Sequence, residues 1–560
     1  MSEQAFVENQ TPINIDQFTS LADMFEKSCA RYGNRTAYIN MGQELSFNEL
    51  EEKSRIFATY LQNKFGIGKG DCVAIMMPNL LQFPIAFYGA LRTGARVVNV
   101  NPLYTARELK HQLNDAGATT MVIVANFAHV LSSIEKETPV QHVILTEVGD
   151  MLSAVKGKIV NFAAKHVKHM VPTFTLENVV QFKQVMKDGK KLTLNKVEID
   201  YEDVALLQYT GGTTGLAKGA VLTHRNLLAN LLQMEWCIDI HDGKEVVVTA
   251  LPLYHIFALT TNCLLFTKTG GTIILITNPR DIPGMVKDIS RYPYTVIIAV
   301  NTLVNSLLNN KDFTHSDMSN LRVSIGGGMA VQRSVAERWR EVTGVRMLMG
   351  YGLTEASPVV AVEADNGESF TGTIGLPVAS TQVCIQDDDK NIVARNQVGE
   401  LCVRGPQVMQ GYWHQPEETT NVISEDGWLH TGDMAMIEDN DYIRIVDRKK
   451  DLIIVAGFNV YPNEVEEVLA SMDGVLEVAC IGVEDRRSGE MVKAFIVKKP
   501  GSDIDKKAVR EFSKENLANY KIPRMIEFRE SLPKSNVGKI LRRELREEET
   551  KRQTPSADGE

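Results

Sequence analysis

The stretch Gln208-Tyr209-Thr210-Gly211-Gly212-Thr213-Thr214-Gly215-Leu216-Ala217-Lys218-Gly219-Ala220 constrains this chain more than any other. Its glycines permit positive φ and carry no Cβ, so successive backbone amides can turn toward one concavity and cradle phosphate oxygens. Three threonine hydroxyls and one ammonium crowd the same residues. The flanks read as a buried strand over residues 204–207 and a helix over residues 223–230 with Thr223 as its N-cap. Strand, glycine-rich loop, helix is a phosphate-binding order. A Walker A loop needs Gly-Lys followed by Ser or Thr. Here Ala217 precedes Lys218 and Gly219 follows it, which disfavours a P-loop nucleotidase. An ordinary surface loop is the competing reading.

At 560 residues the chain is too long for one compact core, so several domains or subdomains are expected. A formal net charge of -10 disfavours a general nucleic-acid binder, which needs a basic excess against phosphates. The seven cysteines, Cys29, Cys72, Cys237, Cys263, Cys384, Cys402 and Cys480, form no Cys-x-x-Cys pair and no even disulfide framework. Reduced thiols and a cytoplasmic location are therefore expected. The first residues do not resemble a secretory signal, and no apolar run approaches the roughly 20 residues of a membrane span.

Residues 36–124 alternate between apolar strands and amphipathic helices, the pattern of an α/β sheet. Residues 71–77 and 97–100 read as strands. A helix is expected over 80–92, kinked by Pro84 or with Pro84 in its first turn. Residues 151–171 interleave Lys156, Lys158, Lys165 and Lys168 with apolar residues. On a helical wheel Lys158, Lys165 and Lys168 fall together, Lys156 is cut off by Gly157, and Pro172 stops the helix. The segment is either an amphipathic helix against the core or a membrane-surface contact.

Three stretches, 250–257, 324–329 and 350–355, place glycine, aromatic or polar residues directly after apolar runs. Ligands of open α/β sheets bind beyond the carboxyl ends of strands, so these three can face one crevice. Glu355 then offers a hard oxygen to Mg²⁺. His255 alone also fits a structural, hydrogen-bonded histidine. Further on, the charged run Asp447-Arg448-Lys449-Lys450-Asp451 reads as a linker or a solvated turn. A helix over 462–469 and strands over 475–483 and 491–497 make a small α+β unit, and the tail from Glu547 is expected to fray.

In this order the pieces resemble the adenylate-forming superfamily of acyl-CoA and aryl-CoA synthetases, luciferases and peptide-synthetase adenylation domains, over almost the full length. The motifs that carry the likeness are residues 209–219 and 350–355, Thr431-Gly432-Asp433, residues 447–450, and Pro533-Lys534-Ser535-Asn536-Val537-Gly538-Lys539-Ile540. Residues 426–433 and 443–450 resemble the fatty acyl-CoA synthetase signature, and the nearest likeness is to bacterial long-chain fatty acid CoA ligases.

The resemblance implies an α/β fold with a large multi-subdomain amino-terminal domain, residues 1–449, and a small mobile α+β carboxy-terminal domain, residues 450–560. It implies activation of a long-chain fatty acid with ATP and Mg²⁺ to an acyl-adenylate, then transfer to coenzyme A, feeding fatty-acid degradation or lipid synthesis. Tyr209, Thr210, Gly211, Gly212, Thr213, Thr214, Gly215 and Lys218 would hold phosphates, with Thr210 and Glu355 at the metal. Gly327, Gly328, Gly350, Tyr351, Gly352 and Thr354 would line the nucleotide site, and Asp433 and Arg448 would bind the ribose. Lys450 occupies the hinge position, and Lys450 and Gly457 would also belong to the cofactor-binding set. His255 lines the acyl-carboxylate pocket, and Lys539 would bridge the two anions that meet in adenylation; its other reading is a solvated surface lysine.

The likeness also allows peripheral contact with the inner face of a membrane, and a homodimer. Some long-chain relatives place a gating tryptophan four residues beyond the histidine, where this chain has Leu259, so that gate is not carried over. Two alternatives stay open: a medium-chain or aryl acid CoA ligase on the same fold, and a non-catalytic, nucleotide-gated fatty-acid binding or uptake protein. The absence of any gap among Lys218, Glu355, Asp433, Arg448 and Lys539 weighs against the second.

Overall fold

The computed structural model describes residues 4–210, 217–365, 367, 370–485, 487–535 and 538–553. Its large part is built on two sheets that share a core. In the first, Cys72–Met76 lies between Arg96–Asn99 and Thr120–Val124, with Val204–Thr210 beyond the former and His142–Thr146 and Val179–Gln181 beyond the latter, all parallel. Cys72–Met76 and Thr120–Val124 are buried at every residue, as strands covered on both faces must be. The second sheet runs Met347–Gly352, Val323–Gly326, Val296–Ala299, Val246–Thr249, Thr272–Leu275 and Thr36–Asn40, also parallel.

Helix Gln82–Arg92 is buried at all 11 residues and packs in the core joining Val73 and Val97 of the first sheet to Val247 and Ile273 of the second. Pro84 lies in its first turn, where a missing N–H leaves no bond unmade. A third, antiparallel sheet orders Phe6–Asn9, Thr381–Gln386, Gly399–Arg404, Leu429–Ile437 and Ile443–Arg448, with Phe6 opposite Cys384. The carboxy-terminal unit pairs Val475–Asp485 with Gly489–Lys498, adds Met525–Arg529 alongside, and closes its own core around Val465, Leu469, Val478 and Ile496. The expected α/β architecture, large part followed by small α+β part, is what the chain forms.

Three local expectations need correction. The glycine-rich loop does not open a helix: strand Lys218–Thr223 follows it and runs antiparallel to Val204–Thr210, with Lys218 opposite Thr210. Helix His224–Cys237 starts only at the far end of that strand, where the Thr223 hydroxyl accepts the Asn226 N–H at 3.1 Å. Gly219 to Leu222 is an apolar run too short for periodicity to separate strand from helix.

Residues 151–171 form helix Ala154–Phe162, which includes Lys156 and Gly157, and a wider π-helical turn Ala163–Val167. Within these two helical segments only Gly157 is buried, and its backbone approaches the Gly149 carbonyl so closely that a side chain there would overlap it. The apolar arc therefore does not cover the core: Val155, Ile159, Phe162, Val167 and Met170 are 52% to 72% exposed. The tail beyond Glu547 continues helix Arg542–Gln553, held by buried Leu545 and by the Lys493 ammonium, 2.6 Å from Glu549 and 2.8 Å from Glu527. No helix among the described residues is long and apolar enough to cross a membrane, and all seven cysteines are free thiols.

Candidate active site

A cleft of about 1830 Å³ is lined by both the large part and the carboxy-terminal unit. That exceeds the roughly 300–1,000 Å³ of a pocket for one small ligand. The stretches around His255, Gly328 and Tyr351 all reach it.

On the loop side, Thr210 ends its strand and faces Lys218 across the ladder, while Gly211, Gly212, Thr213, Thr214 and Gly215 lie outside the described residues. Tyr209 lines the cleft, and its hydroxyl is engaged within the protein. It donates to Asp115 Oδ2 at 2.5 Å, and Trp413 Nε1 donates to the Asp115 carbonyl at 3.1 Å, which pins the strand end to helix Ala106–Ala116. The Lys218 ammonium pairs with Glu418 and stands 5.3 Å over the Tyr412 ring. Thr354 and Glu355 share a tight turn, and Glu355 Oε1 accepts the Tyr412 hydroxyl at 2.7 Å. The second oxygen of Glu355 accepts no hydrogen bond among the described residues.

Opposite, Gly350, Tyr351 and Gly352 end strand Met347–Gly352. Gly352 has to lack a side chain, since a Cβ would overlap the Pro358 carbonyl. Gly328 lines the cleft; Gly327 sits behind it, where a Cβ would lie 2.8 Å from the Phe257 ring. Asp433 and Arg448 are directly opposed in the third sheet and pair at 2.6 Å, and the Tyr351 hydroxyl donates to the other Asp433 oxygen at 2.5 Å.

His255 caps the next helix, its Nδ1 accepting the Phe257 N–H at 3.3 Å. Burial, and then the Lys539 charge, hold its pKa down at about 4, so the imidazole is neutral near pH 7. Past it the chain enters a π-helical turn, Leu259–Leu264, with Leu259 fully buried. Such turns recur at functional sites. Ile298, Val331, Met349, Val359 and Val362 contribute apolar side chains to the same cleft.

From the carboxy-terminal side come Lys450 and Lys539. The lysine loop is closed by Ser535, whose Oγ accepts the Lys539 N–H at 3.1 Å, and is docked on the large part by Thr302, which donates to the Gly538 carbonyl at 3.2 Å. The Lys539 side chain is open to the solvent of the cleft, yet the flanking walls strip enough hydration, with Arg448 adding repulsion, to bring its pKa down to about 8. Gly457 does not line the cleft. It sits at φ +85° in the turn between Ile453–Val455 and Phe458–Val460.

Sequence reasoning missed Tyr412, Glu418, Thr302 and the cluster around Arg542. The Arg542 guanidinium meets Asp447 at 3.1 Å, Asp451 at 3.2 Å and Glu466 at 2.7 Å, and Asp447 also accepts the Asn463 N–H at 2.7 Å. Proline at the start of Pro416–Val422 followed by two glutamates is a helix-start signal, but it says nothing of a lysine 200 positions away.

A large α/β part and a small α+β part facing one cleft form the architecture of an adenylate-forming enzyme. A family model described as AMP-binding enzyme matches residues 25–413, and one described as AMP-binding enzyme C-terminal domain matches residues 464–539. The chain belongs to the AMP-binding enzyme family. It is 57% identical over 540 residues, 96% of each chain, to the long-chain-fatty-acid–CoA ligase of Escherichia coli O157:H7. A protein of the same name from Bacillus subtilis strain 168 is 38% identical over 535 residues, 95% of each chain. Among solved structures, ATP-bound MatB from Rhodopseudomonas palustris matches with a TM-score of 0.80 at 26% identity, over 95% of this chain and 100% of that one.

Proposed function

We propose that this chain is a long-chain fatty acyl-CoA ligase. A fatty carboxylate attacks the α-phosphate of ATP, forming an acyl-adenylate and releasing pyrophosphate; the coenzyme A thiol then takes the acyl group and AMP departs. The observation that carries this reading is the meeting of Lys539 with the Asp433–Arg448 pair and a set of apolar side chains in the lining of one cleft. Asp433 accepts the ribose hydroxyls, Lys218 and Thr210 hold the terminal phosphates, and the Lys539 ammonium offsets the charge that builds where two anions meet. Neutral His255 lines the acyl-carboxylate pocket without adding charge.

The residues present suit Mg²⁺, which keeps water and binds through one or two carboxylates plus phosphate oxygens. Glu355 is a half-buried carboxylate with one oxygen engaged, Thr210 adds a hydroxyl-bearing side chain to the lining of the same cleft, and no larger metal-ligand cluster exists among the described residues. Bound there, the cation would neutralise the leaving pyrophosphate. We place the domain boundary at Lys450, with residues 450–560 turning as a unit between the half-reactions; the Arg542 cluster then works as a latch across that hinge.

The exposed apolar residues of 154–170, with Lys158, Lys165 and Lys168 beside them and no acidic residue within 151–171, suit contact with an anionic lipid surface, where a poorly soluble acid resides. Pyrophosphate release measured across acids from short to long chain, with and without coenzyme A, tests the function. Acid-independent release sinks the enzyme reading, and a maximum at short or aromatic acids favours the other ligases.

A further inference from the structure

Tyr412 belongs to a two-residue strand, Gly411–Tyr412, that pairs with Ala220–Val221 beside the phosphate loop. It is clamped on both sides. Its N–H donates to Thr419 Oγ1 at 2.9 Å, the following Trp413 N–H donates to the Gly219 carbonyl at 2.8 Å, and Met409, three residues earlier, donates to the Glu355 carbonyl at 2.8 Å. Backbone bonds thus tie Tyr412 to the loop strand and to the Glu355 turn together. Its side chain then does two things at once. The hydroxyl donates to Glu355 Oε1 at 2.7 Å, and the ring lies 5.3 Å beneath the Lys218 ammonium.

We infer that Tyr412 is a positioning residue, which fixes Glu355 so that its unoccupied oxygen meets the divalent cation of the nucleotide, and which registers that carboxylate against Lys218. The inference rests on the reading of Glu355 as the cation's ligand. A carboxylate on a short turn can rotate about its side-chain bonds. A donor on one oxygen holds the plane of the group and leaves the second oxygen to bind the metal, the usual work of an outer partner of a metal ligand. Burial and the neighbouring Glu355 charge push the phenol's pKa up, so the hydroxyl remains a donor across the working pH range. The ring face attracts the lysine charge, so carboxylate and ammonium share one support.

Tyr412→Phe keeps the ring and removes only the hydroxyl. Calorimetric binding of ATP is measured with Mg²⁺ and, separately, with the metal chelated. The Phe variant is expected to bind MgATP about 10–100-fold more weakly, the scale for losing an outer partner of a metal ligand. Metal-free ATP should bind as in the wild type, and the Mg²⁺ concentration giving half-maximal pyrophosphate release should rise by a similar factor. Wild-type metal dependence in Tyr412→Phe overturns the inference, and so does equal weakening with and without metal, which marks a general disturbance of the loop. Glu355→Gln separates the layers. If it too retains wild-type Mg²⁺ dependence, the cation reading fails and the inference with it; if it loses that dependence while Tyr412→Phe keeps it, only the inference fails.

Discussion

Lys539 titrates where its charge is used. Its pKa of about 8 lies well below the 10.5 of an ordinary lysine, because the walls of the cleft and the Arg448 charge disfavour the ammonium. The charged form is complete at low pH and is lost as pH rises through 8. About nine-tenths of the free enzyme carries it at pH 7 and about one-tenth at pH 9. For adenylation without coenzyme A, kcat/KM for ATP reports the free enzyme and should fall on an alkaline limb near pH 8. The kcat limb should lie higher, since bound phosphate favours the ammonium. Lys539→Ala should slow this half-reaction ~10²-fold or more, the scale of one lost transition-state donor. Lys539→Arg, whose guanidinium stays charged, should abolish the limb even where its rate is poor. The assay is acid-dependent pyrophosphate release from pH 6 to 10. An alkaline limb that survives unchanged in the Arg variant, or a wild-type profile flat from pH 7 to 9, refutes the reasoning.

Asp447→Asn removes the carboxylate through which the large part grips Arg542, a charged hydrogen bond worth about 1.5–3 kcal/mol, so adenylation should slow ~10–100-fold more than thioester formation from preformed acyl-adenylate; equal effects on both rule out a latch. Lys450→Pro should likewise affect the half-reactions unequally, and rates measured separately decide it. Reversing Lys158, Lys165 and Lys168, or replacing Ile159 and Phe162 with serine, should release the protein from anionic vesicles in a sedimentation assay, the lysines contributing about 1 kcal/mol each; unchanged binding removes the segment from consideration. Gly352→Ala forces a methyl onto the Pro358 carbonyl and should cost about 1–3 kcal/mol, read as a Tm lowered by several degrees.

The order of motifs was legible in the sequence because each glycine- or charge-bearing stretch follows an apolar strand, and a sheet collects the ends of its strands at one edge. What the glycine-rich loop leads into was not legible. Six residues, Lys218 to Thr223, carry too little periodicity, and their strand partner is fixed by the fold. The wheel over 151–171 set Lys158, Lys165 and Lys168 on one arc but could not say which arc meets the protein, and the π-helical turn over Ala163–Val167 departs from the period it assumes; within the helix only Gly157 is buried, where its backbone closely approaches that of Gly149. Tyr412 and Glu418 escaped because their partners, Glu355 and Lys218, lie 57 and 200 positions away, and a phenol or a carboxylate announces no such pairing by itself.

The strand Phe6–Asn9 closes the third sheet against residues 381–384, and Asn9 Nδ2 donates to the Pro377 carbonyl across 368 positions of chain. On a ribosome adding about 5–20 residues per second, the first strand made waits roughly 20 to 70 s for its partner. Through that interval its backbone donors and acceptors are unpaired, as a bare sheet edge would be, and open to other chains. A fusion or deletion at residues 6–9 is therefore expected to lower soluble yield before it alters catalysis, and yields of truncated and intact chains expressed side by side check it.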